Sequence, residues 1–201
     1  AMDTRRHGTK WDKTKNMDGE EIKNKLVSIP FKPTPPEPDH YILGASTIPQ
    51  VILQADMDWT PFLPSEEIQM KNGVETYNCT AFGTLNALEI LLKRIFGAEE
   101  NYSERFTGIL AGTGPSGNSP HEPAEAIRKN GVVDENVLPF DDAIRTIADY
   151  YSPKPLPQWM LDKGAEWLTH YKYWHEWIPV AWPALKPEQL TEAIRYSPLG
   201  I

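Results

Sequence analysis

The one cysteine of this 201-residue chain, Cys79, stands at the start of the strongest helical pattern in the sequence. A free thiol is mostly protonated at neutral pH, and the thiolate is the nucleophile. The first turn of a helix favours an anion through its unpaired backbone N–H groups and its dipole. A cysteine so placed could carry out acyl transfer: attack on a carbonyl, a thioester, and release to water. That chemistry also needs an imidazole beside the sulfur, oriented by a third group. It needs a donor that joins the cysteine N–H in holding the oxyanion. The competing reading is a buried structural thiol, the commoner fate of a lone cysteine.

Histidine is the other residue type to place. His7 and His40 lie in polar or proline-rich sequence and read as solvated. His121 opens a helix, where a neutral ring is favoured. His170 and His175, with Glu166 and Glu176 near them, are five apart, which fits neither one helix face nor a tight zinc pattern. No metal and no cofactor are expected. Trp159, Trp167, Tyr171, Tyr173, Trp174, Trp177 and Trp182 crowd one stretch. Packing, which uses the large area tryptophan can bury, is expected there over a ligand platform.

Several elements must position these groups. From Cys79 to Phe96, Ala81, Leu85, Leu88, Leu92 and Ile95 step along one helix face, and Phe82, Ile90, Leu91 and Phe96 widen it. Asn78 is the candidate N-cap, Lys93 and Arg94 occupy the last turn, and Gly97 is the stop. Ser119-Pro120-His121-Glu122 reads as a capping box opening a helix that Asn130-Gly131 ends. Further helices are expected over 141–151, 158–173 and 187–196. Strand signals are few: Val51-Ile52-Leu53, more weakly Val132-Val133, a short extended Ile178-Pro179-Val180, and a strand beginning at Pro198-Leu199-Gly200-Ile201.

Residues 1–45 read as a polar and then proline-rich tail, a linker or an extended segment able to lie in a cleft. Residues 46–201 read as one domain. Ala1-Met2 reads as a remnant ahead of the natural start. Net charge is −8, which argues against nucleic acid or an anionic membrane as partner. No apolar run approaches a spanning helix and no signal-peptide pattern opens the chain. A single cysteine allows no internal disulfide, so a cytoplasmic or other reducing compartment is expected.

Five segments in order resemble the papain-like cysteine peptidases. Asp58-Trp59, Gln69-Met70-Lys71-Asn72-Gly73 and Asn78-Cys79-Thr80-Ala81-Phe82 resemble the mature start and nucleophile helix of that family. Tyr102-Ser103-Glu104-Arg105-Phe106 resembles its Leu-Ser-Glu-Gln segment. Gly112 to Asn118 resembles its glycine-rich loop. The run from Ala124 to Val132, with Leu138-Pro139-Phe140, resembles the next helix and the turn after it. Leu190 to Ile194, with Ser197 to Ile201, resembles the helix and strand that precede the catalytic histidine. The likeness covers about residues 52–201.

The resemblance implies an α+β, two-lobed papain-like fold with the helical lobe largely present and the β-rich lobe incomplete. It implies Cys79 as nucleophile and Asn72, or else Gln69, as oxyanion donor. Gly117 and Asn118 would stand where the family binds extended substrate, and Ser119 and Pro120 near its specificity pocket. The partner implied is a peptide or protein substrate. Thr80 stands where the family has tryptophan, the family's disulfide cysteines are absent, and Asn118 replaces a glycine. The catalytic histidine and its orienting residue are expected past Ile201, so that this chain alone is expected to be inactive. Two alternatives stay open: a catalytically silent papain-like domain kept for binding, and another Cys–His acyl-transfer enzyme such as an amidase or a transglutaminase-like protein.

Overall fold

The computed structural model describes residues 52–175 and 187–199. The 1–45 tail, Val51, the extended 178–180 stretch, Trp177, Trp182, Glu176 and the final Gly200-Ile201 lie outside the described residues. Six helices are described: α1 (Cys79–Phe96), α2 (Glu104–Leu110), α3 (His121–Asn130), α4 (Ile147–Tyr150), α5 (Gln158–His170) and α6 (Pro187–Ala193). One antiparallel hairpin, β1 (Met70–Lys71) with β2 (Val74–Glu75), pairs Met70 with Glu75 and Lys71 with Val74. The architecture is α+β. No described helix is long and apolar enough to cross a membrane.

Helix α1 is the central element and runs over the residues its periodicity predicts. Ala81 and Leu85 are fully buried, with Phe82, Leu88, Ile90 and Leu92 nearly so. Gly97 ends the helix at φ 68°, its N–H on the Lys93 carbonyl, a conformation glycine adopts without a Cβ penalty. The apolar stripe is shorter than expected: Ile95 and Phe96 are exposed, because the helix leaves the core in its last turn. Leu85, Leu88 and Leu92 pack with Tyr102, Ile127 and Val132, and Trp167, Tyr171 and Tyr173 close over them. A second cluster joins Phe106 and Ile109 of α2 to Val133, Leu138, Leu156 and Met160. Truncating a buried leucine such as Leu85 to alanine costs about 2–5 kcal/mol in such cores.

Several expected elements differ. Helix α2 has no counterpart among the expected elements; Ser103 caps it by accepting from the Phe106 N–H. The 119–122 capping box does not form. Pro120 already has helical angles, the Asn118 side chain takes the Ser119 N–H, and α3 starts at His121. The helix expected over 141–151 shrinks to α4. Residues 141–144 make a turn on Asp141, and the capping box here is Thr146 with Asp149. Helix α5 stops at His170, short of Tyr173, and α6 stops at Ala193, short of Tyr196.

Ile52 and Leu53 form no strand. Leu53 and Gln54 instead donate to the Arg195 carbonyl, while Arg94 of α1 donates to the Leu53 carbonyl. Val132-Val133 forms no strand: the bridge next to it pairs Tyr102 with Asp134, and the Val133 carbonyl accepts from the Ser103 N–H. Pro198 and Leu199 are not in a strand.

Candidate active site around Cys79

Cys79 is the first residue of α1 and is exposed. The structural-thiol reading required burial and does not hold. Being first in the helix, Cys79 and Thr80 have N–H groups with no carbonyl to meet inside it, while the Ala81 and Phe82 N–H groups bond to the Asn78 carbonyl. Asn78 is the cap residue in position but not in mechanism. Its side chain makes no cap bond. It is fully buried and donates to the Glu104 carbonyl at 2.8 Å and to the Tyr150 hydroxyl at 3.0 Å. Gly108 makes room for it: a Cβ there would lie 2.5 Å from Asn78 Oδ1.

The approach to Cys79 is held from several sides. Asn72-Gly73 is the two-residue turn of the hairpin, with φ 56° and 76°, the signature of a type I′ turn. Thr76 is fully buried, and its carbonyl accepts from the Tyr151 hydroxyl at 2.7 Å. Tyr77 takes φ 55°, a left-handed conformation that costs a bulky residue about 1–2 kcal/mol. Strained positions of this kind cluster at functional sites. Glu75 Oε1 accepts from the Tyr77 N–H at 3.0 Å and from Gln69 Nε2 at 2.9 Å. Burial, and secondarily the charge of a Cys79 thiolate nearby, pushes the Tyr151 phenol well above its ordinary range, so it serves there as a neutral donor.

One guanidinium organises the far side of this clamp. Arg105 donates to the carbonyls of Pro139, Asp149, Tyr150 and Ser152 and lies 5.8 Å from the centre of the Tyr150 ring. It therefore fixes the segment that presents Tyr150 to Asn78 and Tyr151 to Thr76. Sequence reasoning missed this role. The signal was a lone arginine directly before Phe106, a fully buried core residue.

The glycine-rich loop comes alongside. Gly117 has φ 74°, pairs with Gly114, and a Cβ on it would lie 3.8 Å from the Tyr77 carbonyl. Asn118 turns inward, its amide on the Ala111 carbonyl and Thr113 Oγ1. Ser119 is exposed and Pro120 half-buried at the start of α3. Two expected donors are engaged elsewhere. The Asn72 amide donates to the Ile144 carbonyl at 3.3 Å, and the Gln69 amide to Glu75.

The His121 and His175 rings stack edge to face at 5.6 Å, and His175 Nε2 is 3.8 Å from Glu125. His170 is exposed. Among the described residues, no group of three or more His, Cys, Asp or Glu is arranged to hold a metal ion. Of the aromatic stretch, Trp167 packs on Tyr102 and Tyr171, whereas Trp159 and Trp174 are exposed. No family model, curated protein or solved structure matches this chain.

Proposed function

We propose that this chain carries the nucleophile-bearing part of a papain-like cysteine peptidase domain and that Cys79 is its nucleophile. The observation that carries this is the exposed thiol at the head of an 18-residue helix whose apolar face is buried, with the Gly117 loop beside the strained residue two positions before it. Cys79 Sγ attacks a peptide carbonyl carbon and forms the C–S bond. Collapse of the tetrahedral adduct breaks the C–N bond, and the amine leaves with the proton that the Cys79 thiol gave up. Water then cleaves the thioester. The Cys79 N–H, free at the helix start, is one oxyanion donor. Gly117, whose N–H is held by the Gly114 carbonyl, would offer its own carbonyl to an extended substrate.

The test is the rate at which an electrophilic extended peptide labels Cys79. The folded chain is compared with the chain unfolded in urea, and Cys79→Ser is the blank. The expected result is labelling at least about tenfold faster on the folded chain, since positioning and the helix start act only there. Equal or slower labelling overturns the proposal. One observation favours a second reading, a silent domain that binds peptides: both amide candidates for the oxyanion are engaged elsewhere. Saturable peptide binding with slow labelling would select it.

A further inference from the structure

Four glutamates from four separate segments bring carboxyl oxygens into the interior. Glu67 precedes the hairpin, Glu89 lies in the middle of α1, Glu104 opens α2, and Glu135 opens the short 3-10 turn Glu135–Val137. Glu89 and Glu104 are each 2% exposed. Three backbone links join residues 101–103, ahead of Glu104, to residues 133–135: the Tyr102–Asp134 bridge, the Ser103 N–H on the Val133 carbonyl, and the Glu135 N–H on the Asn101 carbonyl. Glu89 Oε1 accepts from the Tyr102 N–H at 2.9 Å, and Glu135 Oε1 from the Phe140 N–H at 2.6 Å.

The remaining oxygens are the informative ones. Glu67 Oε2, Glu89 Oε2, Glu104 Oε1 and Glu135 Oε2 are buried and meet no N–H or hydroxyl donor. Glu67 lies near Glu104, so two ionised carboxylates there would add repulsion to the cost of burial. The surroundings add negative charge rather than relieve it: Glu100 faces Glu89, and Asp134 faces Glu135. The cation facing Glu135 is Arg105, whose donors go to four carbonyls. Tyr102 and Tyr150 complete the wall as neutral phenols. Buried oxygens without donors are costly when ionised and are relieved by protons.

We propose that this carboxyl cluster is a proton-binding device: loaded with protons it closes the junction of α1, α2 and the 133–140 segment, and on losing them it loosens that junction behind Cys79. The link to Cys79 is short, because the Glu104 carbonyl is one of the two acceptors that hold Asn78. Burial pushes Glu89 up to about 8 and Glu135 up to about 7, and burial first, with the neighbouring Glu67 carboxyl second, pushes Glu104 well above the carboxylate range. An unfolded glutamate titrates near ~4.3. Between that value and about 8 the folded chain therefore binds more protons than the unfolded one, and stability falls as pH rises through the window. This inference does not depend on the peptidase reading.

Two measurements on the full chain decide it. Thermal melts from about pH 5.5 to about pH 8.5 should show the melting temperature falling by roughly 10 °C. In D2O at about pH 6, the folded chain should show the infrared carbonyl band of protonated carboxylic acid, absent when the chain is unfolded. Glu89→Gln with Glu135→Gln keeps the shapes and the bonds from Tyr102 and Phe140, and should make the pH dependence shallower, with Glu104 supplying what remains. A melting temperature that is level or rises with pH, or a folded chain without the band, overturns the proposal. The band decides alone if the double variant fails to fold.

Discussion

Gly108→Ala separates the tertiary clamp from helix propensity. Alanine in place of an ordinary helix glycine stabilises by about 1 kcal/mol. At Gly108 the new methyl would lie 2.5, 2.7 and 2.8 Å from the three outer atoms of the Asn78 side chain. Ordinary contact begins near 3.4 Å, so Asn78 must retreat by most of an ångström. Its amide is fully buried and held by the Glu104 carbonyl and the Tyr150 hydroxyl. Breaking those two bonds costs about 1 kcal/mol each, and leaving the amide unsatisfied about 1–3 kcal/mol more. Set against the helix gain, the net is a destabilisation of about 2–4 kcal/mol, or about 5–15 °C in melting temperature. Urea denaturation measures it. Gly83→Ala in α1, with no atom within 4 Å of its added methyl, is the control and should be neutral or stabilising. If Gly108→Ala matches or exceeds the wild type while Gly83→Ala behaves as expected, Asn78 is not the rigid backing assigned to it. Asn78→Ala combined with Gly108→Ala should be markedly less destabilised than the sum of the two.

Two further changes test the surroundings. Arg105→Met strips the donors from four carbonyls, and should cost on the order of 3 kcal/mol by urea melt and expose residues 139–152 to proteolysis. Glu125→Gln tests the acid side. Hydrogen bonds from Arg128 first, and then from Lys129, hold the Glu125 carboxyl down to about 2. A depressed carboxylate contributes stability above its unfolded value of ~4.3, and that stability is lost as pH falls through about 2. The variant should lower the melting temperature at about pH 6 and flatten its fall below about pH 4.5. With the interior cluster acting in the opposite sense above that range, the chain should be most stable in mildly acidic solution.

The legible parts of the molecule are those set by local pattern. Eighteen residues of consistent helical period, a terminal glycine and two basic residues before it were enough to place α1 at Cys79–Phe96. Asn130-Gly131 ended α3 where expected, since Gly131 sits at φ 73°. The hairpin was overlooked although Asn72-Gly73 announces a type I′ turn, because strands of two residues carry no alternation to read. Helix α2 was overlooked for a similar reason: seven residues, five of them buried besides Gly108, show no polar face.

The misplaced elements share a cause, a local signal outweighed by a distant partner. Ser119-Pro120-His121-Glu122 has the composition of a capping box, yet Asn118, anchored on Ala111 and Thr113, takes the Ser119 N–H instead. Residues 141–146 have helical composition, yet the Asn72 amide and Lys71 reach across to the Ile144 and Phe140 carbonyls. Asn78 has the composition of a cap, yet its amide points into the core.

From sequence alone came the helix that carries Cys79, the position of the thiol at its head and the helix-ending glycines at 97 and 131. These follow from backbone preference and hydrophobic period, which are properties of neighbouring residues. The tertiary structure alone decided that the thiol faces solvent, that Arg105 and two tyrosines hold the residues before it, and that four glutamates each bury an oxygen without a donor. Each depends on groups far apart in the chain, and burial and missing partners exist only once the chain has closed on itself.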